Sequence, residues 1–268
     1  MLLEGKSAVV TGIGPGMGRD ISLSLAREGA DIVLVERSDR HMPAVAAEIE
    51  ALGRRAVQVQ ADVCDADDRA GVAAAVGDSF GMLDILVNSA FHAGRFEPFD
   101  EADLDKWRRP MDVNYFGTLQ MTQALLPALK AAGADRGDAR IVMVNSMSTH
   151  HIEPAYGSYT GSKAALAGVT KSLARDLGPY NIRVNGVHPG YIWGDSVKIY
   201  FEMQAEERGG DATWQDIYDE RAAETALGYL PHSSEISGSV VFYCSELAKC
   251  VTGTALPVNG GHWFPPSA

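Results

Sequence analysis

Short apolar runs alternate with helical stretches rich in Ala and Leu along the whole chain, and this alternation sets the fold class. Uninterrupted apolar runs are typical of strands that are buried on both faces of a sheet. Between them, stretches such as Arg19–Glu28, Val45–Leu52 and Gly71–Phe80 indicate helices. The pattern predicts an α/β fold with a central parallel sheet of about seven strands and helices on both faces. The predicted strands are Ala8–Val10, Ile32–Val35, Val57–Val59, Ile85–Val87, Ile141–Val144, Ile182–Val187 and Ala255–Val258.

The 268 residues contain no internal repeat and no Pro/Ser-rich linker, so we expect one domain over residues 1–268. The least regular region is residues 191–228, where aromatic residues are interleaved with charges. We interpret this region as an insertion with its own helices and predict that it forms a lid over the substrate. Trp193, Tyr200, Phe201 and Met203 are the candidates to cover the substrate.

Composition excludes several classes of protein. The 23 basic and 35 acidic side chains give a net charge of −12, which argues against a nucleic-acid or anionic-membrane partner. The sequence predicts no signal peptide and no membrane span, so we expect a cytoplasmic protein. The three cysteines form no CxxC pair and are expected to be reduced, small buried side chains.

A glycine-rich loop follows the first predicted strand, at Thr11–Gly18 (TGIGPGMG), and a helix begins after it. Glycines permit a tight turn and close approach of the backbone to a pyrophosphate, while the helix N-terminus offers free N–H groups. No Gly-Lys-Ser/Thr ending is present, so a P-loop NTPase is disfavoured.

Glu36 and Arg37 end the second predicted strand. A carboxylate at this point accepts hydrogen bonds from a ribose 2′-OH and repels a 2′-phosphate, whereas an arginine pairs with that phosphate. Pro15 stands in the glycine loop, which offers no basic side chain for a 2′-phosphate. The sequence therefore favours NAD over NADP as the cofactor.

Tyr159 and Lys163 are four residues apart and so lie on one face of a helix. A neighbouring cation is expected to lower the pKa of the phenol, which then exchanges a proton while hydride moves at an adjacent carbon. Ser146 follows a predicted strand, as do Asn88 and Pro189. The carboxyl ends of parallel strands meet at one edge of the sheet, where ligands bind.

Together these motifs resemble the short-chain dehydrogenase/reductase family, in its short single-domain branch with a Rossmann-type doubly wound fold. The resemblance runs from Lys6 to Gly261. It rests on the TGxxxGxG loop, Asp62-Val63, Asn88-Ser89-Ala90, Asn114, Ser146, Tyr159–Lys163, Pro189-Gly190, and the closing segment from Val251 to Gly261.

The resemblance implies a role for each matched residue. Tyr159 is implied as general acid/base, Ser146 as the donor to the substrate oxygen, Lys163 as the group that binds the nicotinamide ribose, and Asn114 as the holder of a water. The implied cofactor contacts are Gly12, Gly16, Met17, Gly18, Glu36, Arg37, Asp62, Val63, Asn88, Ser89, Ala90, Tyr159, Lys163, Pro189, Gly190 and Ile192. Ser146, Tyr156, Tyr159 and Trp193 are the predicted substrate contacts.

Three positions depart from the family pattern: Asn88-Ser89-Ala90 stands for Asn-Ala-Gly, Gly194 for a Thr, and Asn259 for an Asp. The first departure tightens a turn and removes no catalytic atom. The second removes one side-chain contact to the carboxamide, for which Asp195 or a backbone group is a substitute.

The predicted function is an NAD-dependent oxidoreductase that interconverts a secondary alcohol and a ketone. One alternative is an enoyl-type C=C reductase, because Tyr156 and Lys163 have the spacing used by such enzymes. A second is an NAD-binding regulator without catalysis. No metal site is expected, because His150 and His151 show no ligand spacing.

The predicted pocket segments are Phe91–Phe96, Met147–Tyr156 and Tyr191–Met203, which are rich in aromatic residues and Met. They favour a bulky, largely apolar alcohol or ketone as the small-molecule partner. The family resemblance also implies a homodimer or homotetramer, in which the helices near Val113–Leu129 and Tyr156–Leu177 form a symmetric contact.

Overall fold

A seven-stranded parallel sheet forms the centre of the protein, with strand order β3-β2-β1-β4-β5-β6-β7. The structure is a computed structural model and describes residues 1–264. The parallel sheet predicted from the apolar runs is confirmed. Its strands are β1 (Ser7–Thr11), β2 (Asp31–Glu36), β3 (Ala56–Gln60), β4 (Ile85–Asn88), β5 (Ala139–Val144), β6 (Ile182–Pro189) and β7 (Ala255–Val258).

Helices cover both faces of the sheet and enclose two apolar layers. Val10 faces the layer that contains Leu23, Ile49 and Val240, whereas its neighbour Val9 faces the opposite layer. This alternation explains why the inner strands are apolar at every position. The helices are α1 (Met17–Arg27), α2 (Met42–Ala51), α3 (Ala66–Phe80), α4 (Arg108–Met111), α5 (Thr118–Arg136), α6 (Gly157–Leu177), α7 (Asp195–Arg208), α8 (Trp214–Ala223) and α9 (Ser233–Cys244).

The two edge strands, β3 and β7, are less buried than the sequence predicts. Residues of β3 and β7 are half-buried or exposed, while β1, β4 and β5 are buried throughout. An edge strand has a neighbour on one side only, so helices cover it less completely. The apolar pattern predicts a strand but does not distinguish an edge from the centre.

The strand order reverses direction at β1, which has β2 on one side and β4 on the other. Chain connections leave this point toward opposite ends of the sheet and open a crevice beyond the carboxyl ends of the strands. The loops after β1, β2, β4, β5 and β6 therefore converge on one edge.

Residues 191–228 form the predicted insertion with its own helices, α7 and α8. Phe201 and Ile217 are buried together with Leu230 in a small core separate from the two main layers. Trp193 and Trp214 stack at the border of this core, with ring centroids 5.5 Å apart. The segment is thus a packed unit rather than an extended loop.

Two further sequence predictions concern the cysteines and membranes. Cys64, Cys244 and Cys250 are all free, but only Cys244 is buried, and Cys250 is exposed, so the prediction of burial is wrong for Cys250. Cys250 lies in a turn between the end of α9 and the start of β7. Among residues 1–264, no helix combines the length and apolar character needed to cross a bilayer.

Candidate active site

The glycine loop between β1 and α1 is held against the loop that follows β4. Gly12 has φ +78°, and a Cβ there would lie 2.6 Å from the Cα of Ala90. A Cβ on Gly18 would collide with the carbonyl oxygen of Gly12. Both positions therefore exclude a side chain. Thr11, at the end of β1, also holds the two loops together, because its hydroxyl oxygen accepts from the N–H groups of Ser89 and Ala90 at 3.1 Å each.

The N-terminus of α1 points its free N–H groups into the crevice. Its N-cap, Gly16, supplies no side-chain hydrogen bond, so these donors have no capping partner. A Cβ on Gly14 or Gly16 would meet no atom within 4 Å, so this side of the loop is open. Donors without partners at an open helix N-terminus fit a phosphate group.

Glu36 lies at the end of β2 with its carboxylate almost fully buried. It accepts from the Ser38 hydroxyl at 2.9 Å, from His41 Nδ1 at 2.8 Å and from the His41 N–H at 3.2 Å. The carboxylate is thereby oriented by two residues that the sequence analysis did not identify. Arg37, by contrast, is exposed.

Asp62 follows β3 and pairs with a residue far along the chain. Its carboxylate accepts from the N–H of Cys64 at 2.9 Å and from Arg109 at 3.1 Å. Partial burial opposes ionisation, but these hydrogen bonds and the Arg109 charge hold the pKa of Asp62 below its usual range. The sequence analysis missed Arg109, because nothing in the local sequence of α4 links it to β3.

Ser146, Tyr159 and Lys163 come together beyond the carboxyl end of β5. Ser146 lies two residues after β5, and its side chain interacts with the phenol of Tyr159 in the first turn of α6. The Nζ of Lys163, one turn later, lies 5.9 Å from the centroid of the Tyr159 ring and donates to the carbonyl of Val144 at 2.7 Å. Lys163 is buried.

The ionisation of this trio corrects one expectation. Burial raises the pKa of Tyr159, although the hydrogen bond from Ser146 opposes this rise. Burial also lowers the pKa of Lys163 to about 7. The prediction that Lys163 lowers the pKa of Tyr159 is therefore wrong, because burial of the phenol raises it. The amine loses its own charge readily, so desolvation of the phenol outweighs its attraction.

Asn114 is fully buried inside a π-helical turn, Asp112–Gly117, that leads into α5. Its side chain accepts from the N–H of His92 at 2.7 Å and donates to the His92 carbonyl and to Ser162 Oγ. Ser162 in turn donates to the carbonyl of Tyr159 at 2.7 Å. The amide thus joins the loop after β4 to the first turns of α6, with both of its N–H groups engaged.

The turn after β6 is packed too closely for a side chain at its glycine. A Cβ on Gly190 would lie 2.9 Å from Asn259 and 3.1 Å from Met147. Asn259, where the family pattern has Asp, accepts from the N–H of Gly261 at 3.0 Å and donates to the Trp263 carbonyl at 3.4 Å. The second bond requires an amide N–H, so it explains what asparagine contributes at this position.

His188, on the neighbouring strand β6, contacts the backbone of Ser146. Its Nδ1 lies 2.8 Å from the Ser146 carbonyl, and burial lowers the pKa of its ring. His150 packs against His188 with ring centroids 5.2 Å apart and stacks on Trp263 at 4.0 Å. His188 and His150 are thus held by packing and hydrogen bonding inside the protein.

Aromatic side chains cluster around Tyr156, which precedes Tyr159 by three residues. Phe96 stacks on Tyr156 at 4.4 Å and lies 6.1 Å from Tyr200. Burial raises the pKa of Tyr156 well above the ordinary value of a tyrosine. Tyr191, which the site prediction did not single out, donates to Glu153 at 3.4 Å.

Two of the residues proposed to cover the substrate are engaged elsewhere. Phe201 is completely buried in the core of the 191–228 segment, which removes it from the four candidates to cover the substrate. Trp193 packs its ring edge-to-face on Tyr218 at 4.6 Å and against Trp214. Only a packed tertiary structure reveals which aromatic residues of such a segment face inward.

The part of the chain that the structure describes also brings together His151, Glu224 and His262, with their ligand atoms within 4.8 Å of one another. No metal site was expected from the sequence, because His150 and His151 show no ligand spacing; Glu224 and His262 are far from them along the chain. Their proximity depends on α8 and on the segment after β7.

The crevice as a whole fits a nicotinamide dinucleotide. The open glycine loop and uncapped α1 suit a pyrophosphate, and the buried Glu36 carboxylate stands where β2 ends. Ser146, Tyr159 and Lys163 lie beyond β5, on the other side of the point where the strand order reverses.

Comparison with known proteins gives the same assignment. Residues 12–262 match a family model described as enoyl-(acyl carrier protein) reductase. The chain is 30% identical to the 7α-hydroxysteroid dehydrogenase of Escherichia coli K12, over 97% of this chain and 94% of that protein.

Solved structures superpose over nearly the full length. An NAD⁺-bound xylitol dehydrogenase has a TM-score of 0.89 at 28% identity and covers 97% of this chain and 100% of its own. L-Sorbose reductase from Gluconobacter frateurii, solved with NADPH and L-sorbose, has a TM-score of 0.89 at 32% identity and covers 98% of both chains. The chain belongs to the short-chain dehydrogenase/reductase family of NAD(P)-dependent oxidoreductases.

Proposed function

We propose that this protein is an NAD-preferring dehydrogenase that interconverts a secondary alcohol and a ketone, with Tyr159 as the general acid/base. The observation that carries the proposal is the contact of Ser146 with the phenol oxygen of Tyr159, one helical turn from the buried amine of Lys163. A hydroxyl donor and a proton-exchanging phenol side by side suit the oxygen of a carbinol or carbonyl carbon.

The bound nicotinamide supplies or accepts the hydride at the reacting carbon. Ser146 donates a hydrogen bond to the substrate oxygen and so orients it toward Tyr159. In the oxidation direction the phenolate form of Tyr159 takes the hydroxyl proton and becomes the phenol, and in reduction the phenol gives its proton to the carbonyl oxygen and becomes the phenolate. Lys163, whose pKa burial lowers to about 7, exchanges a proton readily near neutral pH and is suited to pass it onward.

The proposed substrate class is a bulky alcohol with an apolar ring. The stacked aromatic wall of Phe96, Tyr156 and Tyr200 favours such a body. The name of the Escherichia coli relative, a 7α-hydroxysteroid dehydrogenase, describes an alcohol of this kind. Cyclic secondary alcohols are therefore the first compounds to test.

The enoyl-reductase alternative uses Tyr156 in place of Tyr159. The matching family model is described as an enoyl-(acyl carrier protein) reductase, which is the reason to consider this alternative. Tyr156, however, contacts Tyr200 and Phe96. Burial raises the pKa of its phenol, and no contact of this phenol lowers that pKa again. Tyr159 has the Ser146 contact that oxygen chemistry needs. These differences favour carbonyl over C=C reduction.

The decisive experiment follows NADH absorbance with a panel of cyclic alcohols, ketones and enoyl thioesters. Tyr159→Phe should reduce kcat by about 10²–10⁴-fold, the range usual for a lost general acid/base, and leave NAD affinity nearly unchanged. Tyr156→Phe, the matched control three residues away, should have far less effect. The opposite ranking, or turnover of enoyl thioesters only, contradicts the assignment. Tight NAD binding without any turnover supports a regulator.

A further inference from the structure

Three segments converge on a cluster of ionisable side chains beside the candidate substrate pocket. His151 comes from the loop before α6, Glu224 ends α8, and His262 follows β7. The Nε2 of His262 lies 2.8 Å from Oε2 of Glu224, and the rings of His151 and His262 lie 4.5 Å apart. Each residue offers one ligand atom, and these three atoms lie within 4.8 Å of one another.

The donor set is suited to a particular class of ligand. Two imidazoles and a carboxylate form the three-protein-ligand set of many zinc sites, with one position left open. Glu153 lies 3.3 Å from Nε2 of His151 and adds a second carboxylate, while Arg221 is the only guanidinium in contact with the two acids among residues 1–264. With neutral imidazoles the cluster carries two negative charges and one positive, which favours a cation over an anion.

The hydrogen bonding around His262 leaves its ring free to coordinate. Its side chain is 2% exposed, and its Nδ1 is buried without a hydrogen-bond partner. No second bond therefore fixes the tautomer, and moving the ring proton from Nε2 to Nδ1 breaks only the bond to Glu224. Arg221 lies nearer Oε1 of Glu224, at 3.0 Å against 3.4 Å for Oε2. Oε2 is then the oxygen that remains for a metal ion.

We propose that His151, Glu224 and His262 form a binding site for a divalent transition-metal ion of the Zn²⁺ type. The bound ion joins the loop before α6, the end of α8 and the segment after β7. It stabilises the folded chain, because these segments are brought together only in the native state. The site is distinct from Ser146, Tyr159 and Lys163, and its existence does not depend on the reaction that these residues perform.

The test uses tag-free, chelator-treated full-length protein and two probes, Zn²⁺ in calorimetric titration and Co²⁺ in visible absorption spectroscopy. We expect one saturable site per chain, a ligand-field spectrum with Co²⁺, and a Tm that rises with Zn²⁺ concentration. Glu224→Gln and His262→Gln should each weaken Zn²⁺ binding by about tenfold or more. Each variant is compared with its own metal-free Tm, so a general loss of stability is separated from a loss of the site.

His232→Gln is the matched control, since His232 is an exposed histidine that bonds to Ser234 away from the cluster. It should leave Zn²⁺ affinity and the Co²⁺ spectrum unchanged. Equal Zn²⁺ affinity in all four proteins, or no saturable binding in the unmodified chain, overturns the proposal. NAD binding, measured in parallel, reports on the dinucleotide site separately.

Discussion

At the scale of single residues, burial sets the chemistry of this site more than neighbouring charge does. Lys163 and Tyr159 both lie in the candidate active site, and desolvation shifts the pKa of each so that its neutral form is favoured. The protein therefore presents a neutral phenol and a readily deprotonated amine before the cofactor binds. A nicotinamide cation, when bound, adds the positive charge that favours the phenolate.

The buried amine gives a signature in the pH dependence of stability. Lys163 has a folded-state pKa of about 7 against an ordinary value of 10.5, so between these pH values the unfolded chain binds the extra proton. The stability that this group contributes is complete above pH 10.5 and is lost as the pH falls through 7. Its contribution rises by up to about 1.4 kcal/mol per pH unit within that window.

Urea unfolding of the cofactor-free protein checks this prediction. Between pH 7.5 and 9, the free energy of unfolding of the unmodified chain should rise relative to Lys163→Met by up to about 2 kcal/mol. A difference between the two proteins that stays constant with pH would show that Lys163 is charged in the folded chain.

Cofactor choice is also decided by single residues. The Glu36 carboxylate, oriented by Ser38 and His41, is suited to accept from a ribose 2′-OH, and we predict at least about tenfold higher kcat/KM with NAD(H) than with NADP(H). Glu36→Ala should erode that preference. Adding Arg37→Ala to Glu36→Ala should remove any gain with NADP(H). Equal efficiency with both cofactors in the unmodified enzyme contradicts the assignment.

At the scale of elements, residues 191–228 are the part of the chain with a separate core. α7 and α8 pack on each other through Phe201 and Ile217, and an Arg208–Glu220 pair at 2.7 Å joins them further. Gly194 and Gly228 flank the pair of helices, and a Cβ on either would meet no atom within 4 Å. The segment is therefore a packed unit flanked by two glycines with open surroundings.

Hydrogen exchange tests whether this segment acts as a lid. We predict fast exchange over residues 191–228 in the free protein and clear protection once NAD and a substrate analogue are bound, because a lid closes to exclude water. The strands β4 and β5 serve as the internal control, since they are buried in both states. Strong, unchanged protection of 191–228 would identify it as a rigid cap instead.

At the scale of the whole molecule, one face of α6 has small side chains that are exposed and do not pack against the rest of the chain. Gly161, Ala164 and Gly168 are exposed, and a Cβ on either glycine would meet no atom within 4 Å. The sheet therefore does not require small residues at these positions. Small residues permit close approach of a second helix, which agrees with the symmetric α5–α6 contact that the family resemblance implies.

Light scattering at micromolar concentration should accordingly give a dimer or tetramer. Gly168→Arg places a long charged side chain on this face and should shift the protein toward monomer. Gly77→Arg is the matched control, because Gly77 is an exposed glycine inside α3 with equally open surroundings. A stable monomer in the unmodified protein removes the prediction, as does dissociation by the control alone.

Local sequence determined the sheet and much of the catalytic edge. The apolar runs predict parallel strands because burial on both faces requires apolar residues at successive positions. Strand ends then bring Ser146, Asn88 and Pro189 to one edge, since parallel strands all end there. Helical spacing places Tyr159 and Lys163 on one face, and the family resemblance, not the spacing, implies their roles.

Tertiary structure alone decided which partners these residues meet. Arg109 reaches Asp62, and His262 reaches Glu224 and His151, across separations along the chain that no periodicity encodes. It also decided that Phe201 packs inside the 191–228 segment and that burial raises the pKa of Tyr159. Contacts between distant segments and the desolvation of a side chain depend on how whole elements pack, and sequence spacing carries information only about residues within one element.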